Sequence, residues 1–257
     1  MLTKRIIPCL DVKHGRVVKG IQLQRLRDAG APDALSEAYE KQGADEIVML
    51  DVAATPESRD TQYETVRKIR AKLSIPLTVG GGMRKVEDAE KLLEAGADKV
   101  SINTAAVKTP EIIDEMAERF GSQCTVVAID AKGDGEGSWE GVVSGGRIET
   151  GIDAIEWMRE AYERGAGEIL LTSWDRDGTR SGYDLELLRA AADTVPIPVI
   201  ASGGAAEPEH LAEAWGAGAD AVLAASIFHD GDYTVRQVKE ALVDGPFEIR
   251  IPSGYDA

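Results

Sequence analysis

Short β-rich apolar runs recur along the chain, each closed by a polar or glycine-containing turn and followed by apolar residues at helical spacing. Eight such runs read as strands: 5–11, 46–51, 76–80, 99–103, 125–130, 168–173, 198–202 and 221–225. The stretches between them, such as "KVEDAEKLLEAGAD" and "PEIIDEMAERFGS", carry a glycine near their ends, as helices that return the chain do. Eight strands alternating with eight helices over 257 residues predict a single-domain parallel (β/α)8 TIM barrel spanning residues 1–257.

The chain also repeats itself. "IPLTVGGG" at 75–82 returns as "IPVIASGG" at 197–204, an offset of 122 residues. The same offset relates "GADEIVML" to "GAGEILLT" and "AGADKVSINT" to "AGADAVLAAS". "IIPCLD", ending at Asp11, and "TVVAID", ending at Asp130, are offset by 119, a difference that one loop length explains. Each half therefore holds four strand–helix units, with half-barrels of approximately 1–122 and 123–257. A doubly wound open sheet would not predict this four-plus-four self-similarity.

At 43% hydrophobic the chain can bury a full core. It has no long apolar run, signal-peptide pattern or low-complexity stretch, so a cytoplasmic protein without membrane contact is expected. Cys9 and Cys124, read onto strands 1 and 5, fit buried thiols in a reducing compartment. A formal charge of −16 argues against nucleic acid, whose binding relies on basic surface. Acidity on this scale also fits a halophilic adaptation, since salt screens the self-repulsion. On that account the thermal midpoint is expected to rise steeply between low and molar KCl. A flat midpoint would leave ordinary solubility as the explanation.

In a barrel of this type the chemistry belongs at the carboxyl ends of the strands. Those ends read Asp11, Asp51, Gly80 to Gly82, Asn103 and Thr104, Asp130, Thr172 and Ser173, Ser202 to Gly204, and Ala225 and Ser226. The glycines after strands 3 and 7 are each paired with a small or polar cluster after the next strand. Exposed backbone N–H groups with hydroxyls nearby suit phosphate oxygens. Two symmetric cups imply a substrate with a phosphate at each end. Asp11 and Asp130 occupy equivalent positions between the cups, which suits general acid–base partners. His14, His210 and His229 are scattered, and no metal-ligand motif links Asp11, Asp51, Asp130 and Asp177, so no metal site is expected. No dinucleotide fingerprint is present.

"RIIPCLDVKHGRVVKG" at 5–20, "TVGGG" at 78–82, "GADKVSINTAAV" from Gly96, "AIDAK" at 128–132, "LLTSWDRDGTRSGYD" at 170–184 and "IASGGA" at 200–205 closely resemble the cyclase subunits of imidazole glycerol phosphate synthase, of histidine biosynthesis. The resemblance spans nearly the whole chain. It implies a cofactor-free enzyme that uses ammonia to close the imidazole ring of phosphoribulosyl-formimino-aminoimidazole-carboxamide ribotide. The products would be imidazole glycerol phosphate and aminoimidazole carboxamide ribotide. By position, Asp11 looks like the general acid and Asp130 like the base. One phosphate would lie on Gly82, Asn103 and Thr104, the other on Asp177, Gly178, Gly204, Ala225 and Ser226. Lys19, in the first loop, resembles a mobile lysine that closes over substrate. The glycine-rich loop after strand 5 matches the family loosely apart from Ser144, and His14 stands where an acidic residue is common. Thr172, Ser202 and Gly203 complete the expected mouth. The sister isomerase of the pathway shares the half-barrel repeat and paired aspartates, but "CLDVKHGRVVKG" and "VSINT" favour the cyclase. A non-catalytic bisphosphate-binding barrel would not need both aspartates.

Side chains alternate along a strand. Stepping inward positions back by twos from the mouth leads to Arg5, Glu46, Lys99 and Glu168 at the opposite end. Two cations and two anions there predict a paired ring where apolar residues would normally fill a barrel. The chain shows no Cys–His arrangement to generate ammonia. The resemblance implies a separate glutaminase subunit, docked as a heterodimer on this amino-terminal face, with the four residues as an ammonia gate.

Overall fold

A computed structural model describes residues 3–251 apart from 22–23, 55–56 and 58–60. The first half contains strands β1 (Arg5–Lys13), β2 (Arg16–Ile21), β3 (Gln24–Gly30), β4 (Ile47–Asp51), β5 (Leu77–Gly80) and β6 (Lys99–Ile102). Its helices are α1 (Pro32–Lys41), α2 (Tyr63–Arg70), α3 (Val86–Glu94), α4 (Thr104–Lys108) and α5 (Glu111–Phe120). The second half contains β7 (Thr125–Gly133), β8 (Trp139–Val143), β9 (Ile148–Asp153), β10 (Glu168–Ser173), β11 (Val199–Ser202) and β12 (Ala221–Ala224). Its helices are α6 (Ala154–Glu163), α7 (Leu185–Thr194), α8 (Pro208–Gly216), α9 (Ser226–His229) and α10 (Val235–Leu242).

Eight strands pair in parallel in the cyclic order β1–β4–β5–β6–β7–β10–β11–β12, and β12 returns to β1. This closed barrel is the predicted one, and closure leaves its eight parallel strands no free edge. Two antiparallel ribbons were not expected. β2 and β3 extend from β1, and β8 and β9 extend from β7, so each half opens with the same elaboration. The first ribbon turns through His14 and Gly15, both at positive φ (49° and 75°), between the paired Lys13 and Arg16. A two-residue hairpin demands that conformation, which Asn-Gly usually supplies. Short helices α4 and α9 follow the fourth and eighth barrel strands, so the described residues hold ten α-helices rather than eight.

The repeated "GAD" phrase has a mechanical reason. Gly43, Gly96 and Gly218 end helices at φ of 97°, 110° and 110°, and the alanine after each is buried. The aspartate then caps the preceding barrel strand: Asp45 accepts from Ile6 N, Asp98 from Leu77 N and Asp220 from Val199 N. Each aspartate also donates its own N–H to the carbonyl of that same residue. The fourth copy reads "GAG", and a Cβ on Gly167 would fall 2.1 Å from the Ser122 carbonyl oxygen. Contact with backbone replaces the carboxylate there.

Two apolar layers result. The larger lies between strands and helices; the smaller fills the barrel with Ile7, Cys9, Val48, Val126, Leu170, Ile200, Ala221 and Leu223. Ile7, Cys9, Val48 and Leu170 are the alternate positions that separate Arg5, Glu46 and Glu168 from the mouth, so they face inward too. Cys124 is not on a strand; it closes a 3-10 turn (Ser122–Cys124) and is half-buried. No helix among the described residues is long and apolar enough to cross a membrane.

Candidate active site at the carboxyl ends of the strands

β1 and β7 stand four strands apart in a ring of eight, so Asp11 and Asp130 face one another across the mouth. Two cavities of about 140 Å³ each open there and share Leu50, Val52, Asp130 and Thr172 as a common wall. Gly82, Asn103, Thr104 and Ser144 line one. Asp11, Lys19, Asp177, Gly178, Ser202, Gly203, Gly204, Ala225 and Ser226 line the other. Of the mouth residues expected from the sequence, all but Gly80 and Ser173 line one of these two adjoining cavities.

The two cups are built alike. Asn103 and Ala225 precede α4 and α9 with nearly the same backbone, φ −132° and ψ −86° against φ −127° and ψ −66°. The adjoining glycine pairs have positive φ: 92° and 77° at Gly81 and Gly82, 96° and 102° at Gly203 and Gly204. The first glycine of each pair has a reason besides any ligand. A Cβ on Gly81 would lie 2.3 Å from the Asp51 carbonyl oxygen, and one on Gly203 would lie 2.8 Å from that of Ser173. Each glycine lets its loop lie on the end of the preceding strand. Gly81→Ala is expected to destabilise the fold by about 1–3 kcal/mol through strain alone, read as a lower urea midpoint at unchanged slope. An unaltered midpoint would mean the loop can move away without cost.

The ribbons complete the mouth. Ser144, at φ 57° in the turn between β8 and β9, donates its backbone N–H to Thr104 Oγ1 at 3.1 Å. Lys19 is on β2 rather than in a loop; it is buried, with Nζ 3.7 Å from Asp11 Oδ2. Burial alone would lower its pKa, yet the charges of Asp11 and Asp177 raise it. Asp130 accepts from Asn103 Nδ2 at 3.0 Å. Burial pushes its carboxyl up from 3.8 to about 7; Asp177 adds to the rise, and hydrogen bonds from Asn103 and Thr172 oppose it. Asp177 acts electrostatically on Asp130, Lys19 and Cys9, and its N–H is already donated to Ser173 O. Asp177 lines the same cavity as Gly178, Gly204, Ala225 and Ser226.

Asp51 is another strand-end aspartate with a different part. It is buried and accepts from the N–H groups of Ala53 and Ala54, closing its own turn. Among the described residues no group of three or more His, Cys, Asp or Glu side chains could hold a metal ion. Sequence reasoning missed Val52, Trp174 and Arg180 on the cavity wall. Trp174 lies over the β8–β9 turn so closely that a Cβ on Gly146 would fall 2.0 Å from its ring. Trp174 and Arg180 fall inside the quoted segment "LLTSWDRDGTRSGYD", whereas Val52 carries no motif.

At the opposite end Arg5, Glu46, Lys99 and Glu168 form a closed alternating ring. Arg5 pairs with Glu46 at 2.9 Å and with Glu168; Lys99 pairs with Glu46 at 2.9 Å and Glu168 at 2.8 Å. Thr78 Oγ1 donates to the remaining Glu46 oxygen. Glu46 and Glu168 are buried.

The family model described as "Histidine biosynthesis protein" matches residues 5–234. The chain belongs to that family. Within the histidine biosynthesis family it is 56% identical, over 251 residues, to the imidazole glycerol phosphate synthase subunit HisF of Wolinella succinogenes. That alignment covers 97% of this chain and 99% of the relative, so the barrel, both ribbons and the mouth all fall within it.

Proposed function

We infer that this chain is the cyclase subunit of an imidazole glycerol phosphate synthase. It would use ammonia to convert phosphoribulosyl-formimino-aminoimidazole-carboxamide ribotide into imidazole glycerol phosphate and aminoimidazole carboxamide ribotide. The observation that carries this reading is the pair of like-built cups half a barrel apart, with Asp11 and Asp130 between them. A substrate phosphorylated at both ends fits that layout, its reacting centre over the aspartates. The near-full-length similarity to a synthase subunit supports the same reaction.

In this reading Gly82, Asn103, Thr104 and Ser144 hold one phosphate, and Asp177, Gly178, Gly203, Gly204, Ala225 and Ser226 surround the other. Thr172 and Ser202 line the floor between them. A carboxyl that titrates near 7 is matched to proton transfer at neutral pH, so Asp130 serves as the base during ammonia addition and ring closure. Asp11 serves as the acid, and the buried Lys19 covers it and excludes water.

Ammonia would come from a glutaminase subunit docked as a heterodimer on the amino-terminal face. The ring of Arg5, Glu46, Lys99 and Glu168 would be its gate. Above that ring the barrel is filled with Ile7, Val48, Leu170 and other apolar residues, which admit neutral ammonia far more readily than ammonium.

The test is incubation of the purified chain with the bisphosphate substrate and an ammonium salt. Imidazole product, absent when ammonium is withheld, is the expected result. Binding of the bisphosphate without turnover would favour a non-catalytic barrel.

A further inference from the structure

A half-buried imidazole outside the proposed chemistry holds the mouth end of β1. His229, the last residue of α9, sits between α1 and β1. Its Nε2 is 2.9 Å from the Cys9 carbonyl oxygen and its Nδ1 is 2.6 Å from the Tyr39 hydroxyl. A carbonyl can only accept, so Nε2 carries the ring proton and the Tyr39 hydroxyl donates to Nδ1. The pairing of β1 with β12 ends at Pro8 opposite Ala224, and one residue further the Cys9 carbonyl accepts from the imidazole. Tyr39 is buried on α1, its ring 6.0 Å from Phe228 and 5.8 Å from His229. Burial pushes the imidazolium pKa down to about 4, against the pull of the Asp11 charge and the Cys9 carbonyl. The charged groups facing the ring are Asp11, Lys19 and Arg27. The ring is therefore neutral at working pH and has one tautomer.

We propose that His229 is a positioning residue for the reaction. One imidazole ties the strand end that carries Asp11 to the short helix that begins at the cup residue Ser226. The carboxyl and the phosphate cup then keep a fixed separation. Tyr39 sets the tautomer, and with it which nitrogen reaches Cys9. The inference rests on the reading that Asp11 and this cup serve the reaction.

His229→Leu is expected to lower ammonium-driven kcat about tenfold and to raise KM for the bisphosphate severalfold, since small misplacements of a reacting group are costly. His229→Gln, whose amide N–H can reach the Cys9 carbonyl, is expected to recover most of kcat. A purely structural role predicts a lower thermal midpoint but wild-type kcat and KM well below it; that result overturns the proposal. Nitrogen-15 spectra of the intact enzyme give a second readout that needs no His229 variant. A single Nε2–H tautomer between about pH 6 and 8, loosened to a mixture in Tyr39→Phe, is expected; an Nδ1–H ring in the unaltered protein overturns the proposal. Asp11→Asn is the control. If it is inactive while His229→Leu is normal, the positioning role fails and the reading of Asp11 stands. If Asp11→Asn turns over normally, that reading fails and takes the proposal with it.

Discussion

Asp130→Asn is expected to lower turnover by about 10²-fold or more, and at the same time to stabilise the free protein at alkaline pH. Both effects come from the raised pKa of this carboxyl, about 7 against an ordinary 3.8. A group whose pKa is higher in the folded protein than in the unfolded chain favours folding while it is protonated. That contribution is complete below the unfolded value and is lost as pH rises through the folded one. At pH 8 the ionised carboxylate therefore costs stability, by up to about 4 kcal/mol for a shift of this size. Asparagine keeps the shape without the charge. The variant should unfold at higher urea than the parent at pH 8, and the difference should vanish towards pH 4. Catalysis needs the opposite state, a deprotonated base. With rates expressed per free ammonia, kcat/KM should fall about tenfold per pH unit below about 7. Asp11→Asn should lower turnover on the same scale, with some loss of stability because Lys19 loses one of its carboxylate neighbours. Normal turnover in either variant would remove that residue from the mechanism.

The barrel and its mouth were legible because their signals are periodic. The pleat keeps a strict alternation, so Cys9, Ile7 and Arg5 followed from Asp11, and the half-barrel repeat supplied an independent check. Alternation also explains the one aspartate that the list of strand ends could not sort. In β4 it is Leu50 that faces inward, opposite Asp11, so Asp51 points away and closes a turn. The ribbons were harder to read. Turn chemistry at His14 and Gly15 uses a histidine where asparagine or aspartate is the usual sign, and among the described residues the strands beyond it pair with each other and with the end of β1 alone. Lys19 consequently read as a loop residue although its backbone is a strand. Contacts such as Tyr39 with His229 join residues 190 apart, with no motif at either end. Closure of the barrel creates them, and only a structure can supply them.

Replacing Lys99 with methionine is expected to impair glutamine-driven synthesis in the two-subunit enzyme far more than synthesis from added ammonium salt. Lys99 holds Glu46 and Glu168 at once, and Arg5 holds the same two carboxylates from the other side. Breaking a fully buried pair by removing one partner costs about 3–5 kcal/mol; the cost here is smaller, because Arg5 still pairs with both carboxylates. The ring would relax by drawing Arg5 inward, by admitting water, or by protonating a glutamate. An inward Arg5 would narrow the floor, and water or a protonated glutamate would place a proton donor in the path of ammonia. Ammonium salt added to the solvent can reach the mouth directly, so the chemistry at Asp11 and Asp130 should continue at a rate near normal. Some loss of thermal stability is expected with both nitrogen sources and is separated by assaying well below the midpoint. Subunit affinity must be measured as well, since the ring lies on the face proposed for docking. Equal loss with glutamine and with ammonium, at unchanged affinity, would mean that the ring braces the barrel floor and does not govern the passage of ammonia.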